Sequence, residues 1–139
     1  MSLTITIPGE PVAQGRPRAF RTKAGHLRTY DPTKSRNWKA EARAVMVAAK
    51  PDPAAILFPD GPCTVDVLAV FTCPKSAYRK HPVPRQPHAK RPDADNVTKA
   101  VLDAGKGVLW RDDTQVARLV VEKWVGAQGE APFVRVEVR

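Results

Sequence analysis

The stretch Cys63-Thr-Val-Asp-Val-Leu-Ala-Val-Phe-Thr72 decides the fold. It is rich in Val and Phe and free of Gly and Pro, the composition of a strand that lies inside a sheet, so we read it as the central strand. The Pro-rich connection Pro51 to Pro62 precedes it. After it comes Cys73 to Arg91, where Pro74, Pro82, Pro84 and Pro87, with Pro92 just beyond, deny regular structure to most of the segment and leave it irregular and exposed.

Further toward the N-terminus, Leu3-Thr-Ile-Thr-Ile7 alternates and is β-branched, predicting a first strand that Pro8-Gly9 ends. In Gln14 to Tyr30 the residues Gly15, Pro17 and Gly25 interrupt any periodicity, which predicts an extended arm or a flexible hairpin. Asp31 as cap with Pro32 at the first helical position starts a helix from Pro32 to Ala49, whose stripe is Trp38, Ala42, Val45, Met46 and Ala49. Beyond the irregular segment, Val97, Ala100, Val101 and Ala104 share a face and predict a helix from Asn96 to Ala104, with Asp95 at its start and Gly105 as its stop. Trp110 to Asp113 reads as a turn. Gln115 to Val125 and Phe133 to Val138 read as closing strands joined through Gly126 and Gly129. Trp38, Trp110 and Trp124 are most simply core residues.

The 139 residues suit a single domain, 1–139, and no apolar run approaches the roughly 20 residues that cross a bilayer. With no charged-then-apolar leader pattern in the opening residues, we expect a soluble cytoplasmic protein. Cys63 and Cys73 are too few to staple a secreted fold and lack zinc-site spacing, so both are expected as reduced thiols.

Charge is the first functional signal, because 23 Lys and Arg against 14 Asp and Glu leave a formal charge of +9. The basic residues are grouped. Arg16, Arg18, Arg21, Lys23, Arg28, Lys34, Arg36 and Lys39 share their stretch with the single acid Asp31, and Lys75, Arg79, Lys80, Arg85, Lys90 and Arg91 share theirs with none. Such grouping points to a polyanion. Directly afterwards come Asp93, Asp95, Asp103, Asp112 and Asp113.

Asp93 and Asp95, two apart on an extended segment, would point the same way and offer oxygen ligands to a hard cation, with a third carboxylate from the Asp112-Asp113 turn. A metal so held activates water and stabilises charge on a phosphate. Lys99, one helical turn beyond Asp95, reaches back over the same site, unless it pairs instead with Asp103 at i+4. Taken singly, Asp95 also reads as a helix cap and Asp112-Asp113 as a turn. An EF-hand calcium loop fails on spacing, since counting from Asp93 the glycine position holds Thr98 and the closing glutamate position Ala104. No phosphate-binding Gly-rich loop, nucleophile elbow or zinc spacing is present.

Three stretches resemble the RusA-type Holliday junction resolvases: Ile7-Pro8-Gly9-Glu10-Pro11 with Gly15-Arg16-Pro17-Arg18, then Pro92-Asp93-Ala94-Asp95-Asn96-Val97-Thr98-Lys99-Ala100, then Trp110 to Val116 with its Asp-Asp pair. The resemblance implies an α/β (α+β) domain with a mixed β-sheet and two main helices. It implies a homodimer that resolves four-way DNA junctions by paired symmetric nicks in recombination and repair, using magnesium or substitute manganese. It implies Asp93, Asp95 and Asp113 as catalytic metal ligands and Lys99 as the essential lysine. Arg16, Arg18, Arg21, Lys23, Arg79, Lys80, Lys90 and Arg91 would grip the DNA backbone, and Phe20 is nominated to stack on a base. The rival readings are a nucleic-acid-binding protein without catalysis, whose acids only balance and cap, and a metal nuclease for another substrate such as flaps or RNA.

Overall fold

The computed structural model describes residues 1–15, 18–30 and 32–139. Strand β1 (Leu3–Pro8) is followed by the hairpin β2 (Arg18–Arg21) and β3 (Leu27–Tyr30), helix α1 (Thr33–Ala49) and strand β4 (Cys63–Phe71). Then come the two-residue β5 (Gln86–Pro87), helix α2 (Ala94–Gly105), β6 (Val116–Val125) and β7 (Phe133–Val138). The main sheet has five strands in the order β1-β7-β4-β6-β5, and β2-β3 forms a separate ribbon. The fold is therefore the expected α+β domain with a mixed sheet and two helices.

β4 sits at the centre of that sheet, parallel to β6 and antiparallel to β7. Its residues Val65, Val67, Ala69 and Phe71 alternate onto one face, joined there by Ile5 and Ile7 of β1 and Val134, Val136 and Val138 of β7. Both helices cover this face, α1 through Trp38, Ala42 and Met46 and α2 through Val97, Ala100, Val101 and Ala104. β6 and β7 are consecutive in sequence yet not neighbours in the sheet. Their connection crosses the end of β4, where the Gly126 N–H bonds the Phe71 carbonyl at 2.7 Å. No helix among the described residues is long and apolar enough to cross a membrane, and Cys63 and Cys73 are free thiols, both buried.

Element boundaries depart from expectation in three places. Pro32 is the N-cap of α1 rather than its first residue, because its ψ of 141° is extended; its carbonyl still accepts from the Arg36 N–H and the Ser35 hydroxyl. Asp31, the expected cap, lies outside the described residues. The second helix starts earlier and ends later than its apolar stripe, since the Val97 N–H already bonds the Asp93 carbonyl and Gly105 remains helical.

Gly105 is fixed by packing. A Cβ placed there would lie 2.6 Å from Cζ2 and Cη2 of Trp110, whose ring is fully buried. Gly105→Ala gains about 1 kcal/mol of helix propensity but overpacks a ring that has nowhere to go, which costs about 1–3 kcal/mol. The variant is expected to be less stable than wild type in urea unfolding followed by tryptophan fluorescence; equal or higher stability would mean that the ring is free to move.

Candidate functional site

Asp93 is the N-cap of α2, and Asp95 lies in its first turn. They do not sit on one extended segment, as the sequence reading had it, because the chain turns helical at Ala94. Asp93 belongs to a residue type that commonly caps helices, yet its carboxylate makes no capping bond. Among the described residues Asp95 accepts only the neighbouring Asn96 N–H, at 3.0 Å. Both side chains, and that of Lys99 one turn further on, are exposed, and none is in an ion pair among the described residues. Asp103 pairs with Lys39 of α1 at 3.7 Å, so the i+4 partner of Lys99 is taken. Elsewhere acids are engaged, as in Asp66 with Arg139 at 2.9 Å and Glu130 with Arg85. The helix dipole favours the two free carboxylates at this end.

Asp112 and Asp113 occupy the other end of α2. The Trp110 ring lies on Gly105, the last helical residue, and its Nε1–H donates to Asp113 Oδ1 at 2.9 Å. Asp112 forms an ion pair with Lys106, the C-cap, at 2.9 Å, and accepts the Thr114 hydroxyl at 2.7 Å. The Lys106 ammonium, with help from Thr114, lowers the Asp112 carboxyl to a pKa of about 2. α2 has 12 residues, so its ends are about 18 Å apart at 1.5 Å per residue. Within one chain Asp113 therefore does not reach Asp93 and Asp95, and among the described residues no three His, Cys, Asp or Glu side chains come close enough to hold a metal ion. What remains for a cation is Asp93 and Asp95. One or two carboxylates are what a magnesium ion commonly takes from protein when waters and a substrate phosphate complete its shell, so the hard oxygen donors here fit such an ion.

Both basic segments leave the sheet beside the start of α2. Arg18 and Arg21 lie in β2 and Lys23 in the turn after it, whereas Arg16 is outside the described residues. Arg21, Lys23, Lys80, Lys90 and Arg91 are exposed and without acidic partners among the described residues. The first segment is anchored at its root, where the Gln14 N–H bonds the Asn96 carbonyl at 3.0 Å and Glu10 accepts the Thr72 N–H at 3.1 Å. Phe20 is 48% exposed on β2.

One residue of this site escaped the sequence reading. Lys123 of β6 donates its ammonium to the carbonyls of Lys90 at 2.8 Å and Pro92 at 2.6 Å, clamping the chain that delivers Asp93. Its backbone carbonyl also accepts the His88 N–H at 3.0 Å. A signal was present: Leu119, Val121 and Val125 share a strand face with Lys123, which interrupts that apolar row.

The family model described as endodeoxyribonuclease RusA matches residues 8–139. The uncharacterized protein YqaN of Bacillus subtilis strain 168 is 35% identical over 144 residues, which cover 99% of this chain and 95% of that one.

The Lys123 clamp has a measurable consequence. Lys123→Met removes two charge-assisted hydrogen bonds, each worth roughly 1.5–3 kcal/mol, from a segment that is otherwise exposed. Limited trypsin digestion is expected to cut after Lys90 at least about tenfold faster in the variant, a factor that corresponds to about 1.4 kcal/mol. An unchanged rate would show that the segment is held by other contacts.

Proposed function

This chain belongs to the RusA family of endodeoxyribonucleases, the Holliday junction resolvases that hydrolyse phosphodiester bonds, and from that premise we propose that the start of α2 is its active site. The observation that carries the proposal is that Asp93, Asp95 and Lys99 stand exposed at one helix end and unpaired among the described residues, with both basic segments rooted beside them. Nucleases of this family depend on a divalent metal; in our reading the ion is magnesium, with manganese as a substitute, held by Asp93 and Asp95. When bound, such an ion supplies charge stabilisation at the phosphate and a water of lowered pKa. The ammonium of Lys99 binds a non-bridging oxygen of the scissile phosphate and offsets the charge that grows there as the bond breaks. Asp113, expected as the third carboxylate, lies at the other end of α2 in this chain, where it accepts the Trp110 Nε1–H.

The basic segments bind the DNA backbone on either side of the cut, through Arg16, Arg18, Arg21 and Lys23 in the first and Arg79, Lys80, Lys90 and Arg91 in the second. Contacts of this kind select backbone geometry rather than sequence, and they weaken as salt rises. A homodimer supplies two such sites related by a two-fold axis, matching paired nicks across a four-way junction in recombination and repair. The protein would work in the cytoplasm, on the DNA there.

Two variants test the assignment. With magnesium, wild type is expected to place paired nicks in a labelled four-way junction, and EDTA to abolish them. Asp93→Asn is expected to bind the junction normally while cutting it at least about 100-fold more slowly, the scale on which losing one group that stabilises the transition state is felt. Lys99→Met is expected to lose a similar factor in cleavage with little change in affinity. If Asp93→Asn cuts as fast as wild type, the site lies elsewhere. Preferred cutting of flaps, linear DNA or RNA in the same assay would replace the junction as substrate.

A further inference from the structure

A cavity of about 780 Å³ opens at the end of the sheet where β4 and β6 finish. We propose that it receives one unstacked nucleobase of the cleaved strand, beside the scissile phosphate. The proposal deepens the nuclease reading above and rests on it for the position of the cut.

The lining has the chemistry of a nucleotide site. Inside, the cavity is mostly apolar and includes Phe71, Val83, Pro87 and Val125; Arg79 and Lys90 also line it. Apolar walls with a few polar or charged groups are the usual make-up of a ligand pocket, and the volume falls within the usual range. Apolar space beside the Arg79 and Lys90 cations, with the lining carboxylate, Glu10, engaged by Thr72, suits a base joined to phosphates better than it suits a peptide or a lipid chain. The His88 ring packs against Phe71 with centroids 4.5 Å apart, so two aromatic rings, a side-chain type on which bases stack, stand in the wall.

The cavity is also built before any ligand arrives. Gln128 ties down its outer wall: its N–H bonds the Val83 carbonyl at 2.9 Å, and its side chain accepts the Arg79 N–H at 3.0 Å and donates to the Arg79 carbonyl at 3.2 Å. Arg85 pairs with Glu130 across the same loop. The inner wall is tied by Lys123, which holds the Lys90 and Pro92 carbonyls and so connects the cavity rigidly to Asp93. From Lys90 to Asp93 the chain can span at most about 11 Å, so a phosphate at Asp93 and Asp95 leaves an adjacent base within reach of the cavity. Removing a base from its stack costs least where stacking is already interrupted, which at an open four-way junction is the branch point.

The test uses the full-length protein and four-way junctions with 2-aminopurine at single nucleotides flanking the branch point, with affinity followed by anisotropy and without divalent metal. At one such position, binding by wild type is expected to change the fluorescence by at least about threefold, and an abasic site there to slow cleavage in magnesium about tenfold, as loss of one stacked base would. Ala77→Trp and Val83→Phe, which fill the cavity from two sides, are expected to bind junctions but to abolish the fluorescence change. If either variant binds and gives the wild-type fluorescence change, or if no position responds in wild type, the cavity takes no base. A position-specific change that the filled variants lose, in a protein that cuts no junction with any divalent metal, would uphold the pocket and overturn the nuclease reading.

Discussion

Parallel pairing of β4 with β6 obliges the chain between them to travel back along the whole sheet, and α2 is that return. The direction of the helix follows. Its N-terminus stands beyond the carboxyl ends of β4 and β6, where crossover folds of this kind bind their ligands, and its C-terminus lies at the opposite end with Trp110, Asp112 and Asp113. Asp93 and Asp95 thus inherit a partial positive charge from the helix and the long loop from β4 as a neighbour. The same constraint separates them from the Asp-Asp pair.

Around this frame the charges divide into committed and free. Asp66, Asp103, Asp112, Glu130 and Glu137 each hold a cation. An exposed pair of this sort adds little stability, but it removes a carboxylate from competition for a metal or for the basic segments. At the start of α2 the reverse holds: carboxylates, lysine and arginines are left unneutralised among the described residues, a state that the chain tolerates in water and that a phosphate backbone with a cation would resolve. Lys123 contributes differently, since its charge is spent on two carbonyls and serves position rather than binding.

Much of this was legible from residue order. The alternation in Leu3 to Ile7, the apolar run at Cys63 to Phe71 and the stripes at Trp38, Ala42 and Met46 and at Val97, Ala100, Val101 and Ala104 are local patterns that burial enforces, and each element formed where its pattern stood. Boundaries were less legible. Pro32 is compatible by its fixed φ with either side of a helix start, and only the extended ψ places it outside. Gly105, expected to end a helix, is instead kept inside it by the ring of Trp110.

The sequence by itself determined the kind of chemistry on offer: two grouped basic segments, an Asp-x-Asp-Asn-x-x-Lys string and a later Asp-Asp, in an order that matches one family of nucleases. These are properties of residue type and spacing, which survive any folding. Only the tertiary structure decided which of those acids meet. Whether Asp113 lies beside Asp95 depends on the course of α2 and on a parallel pairing between strands some 50 residues apart, and no local pattern encodes it. The same holds for the carbonyls that Lys123 clamps, although its break in an apolar row was visible, and for the cavity beneath Lys90, because contacts between β6 and a distant loop arise from packing free energy summed over the whole sheet rather than from any segment of the chain.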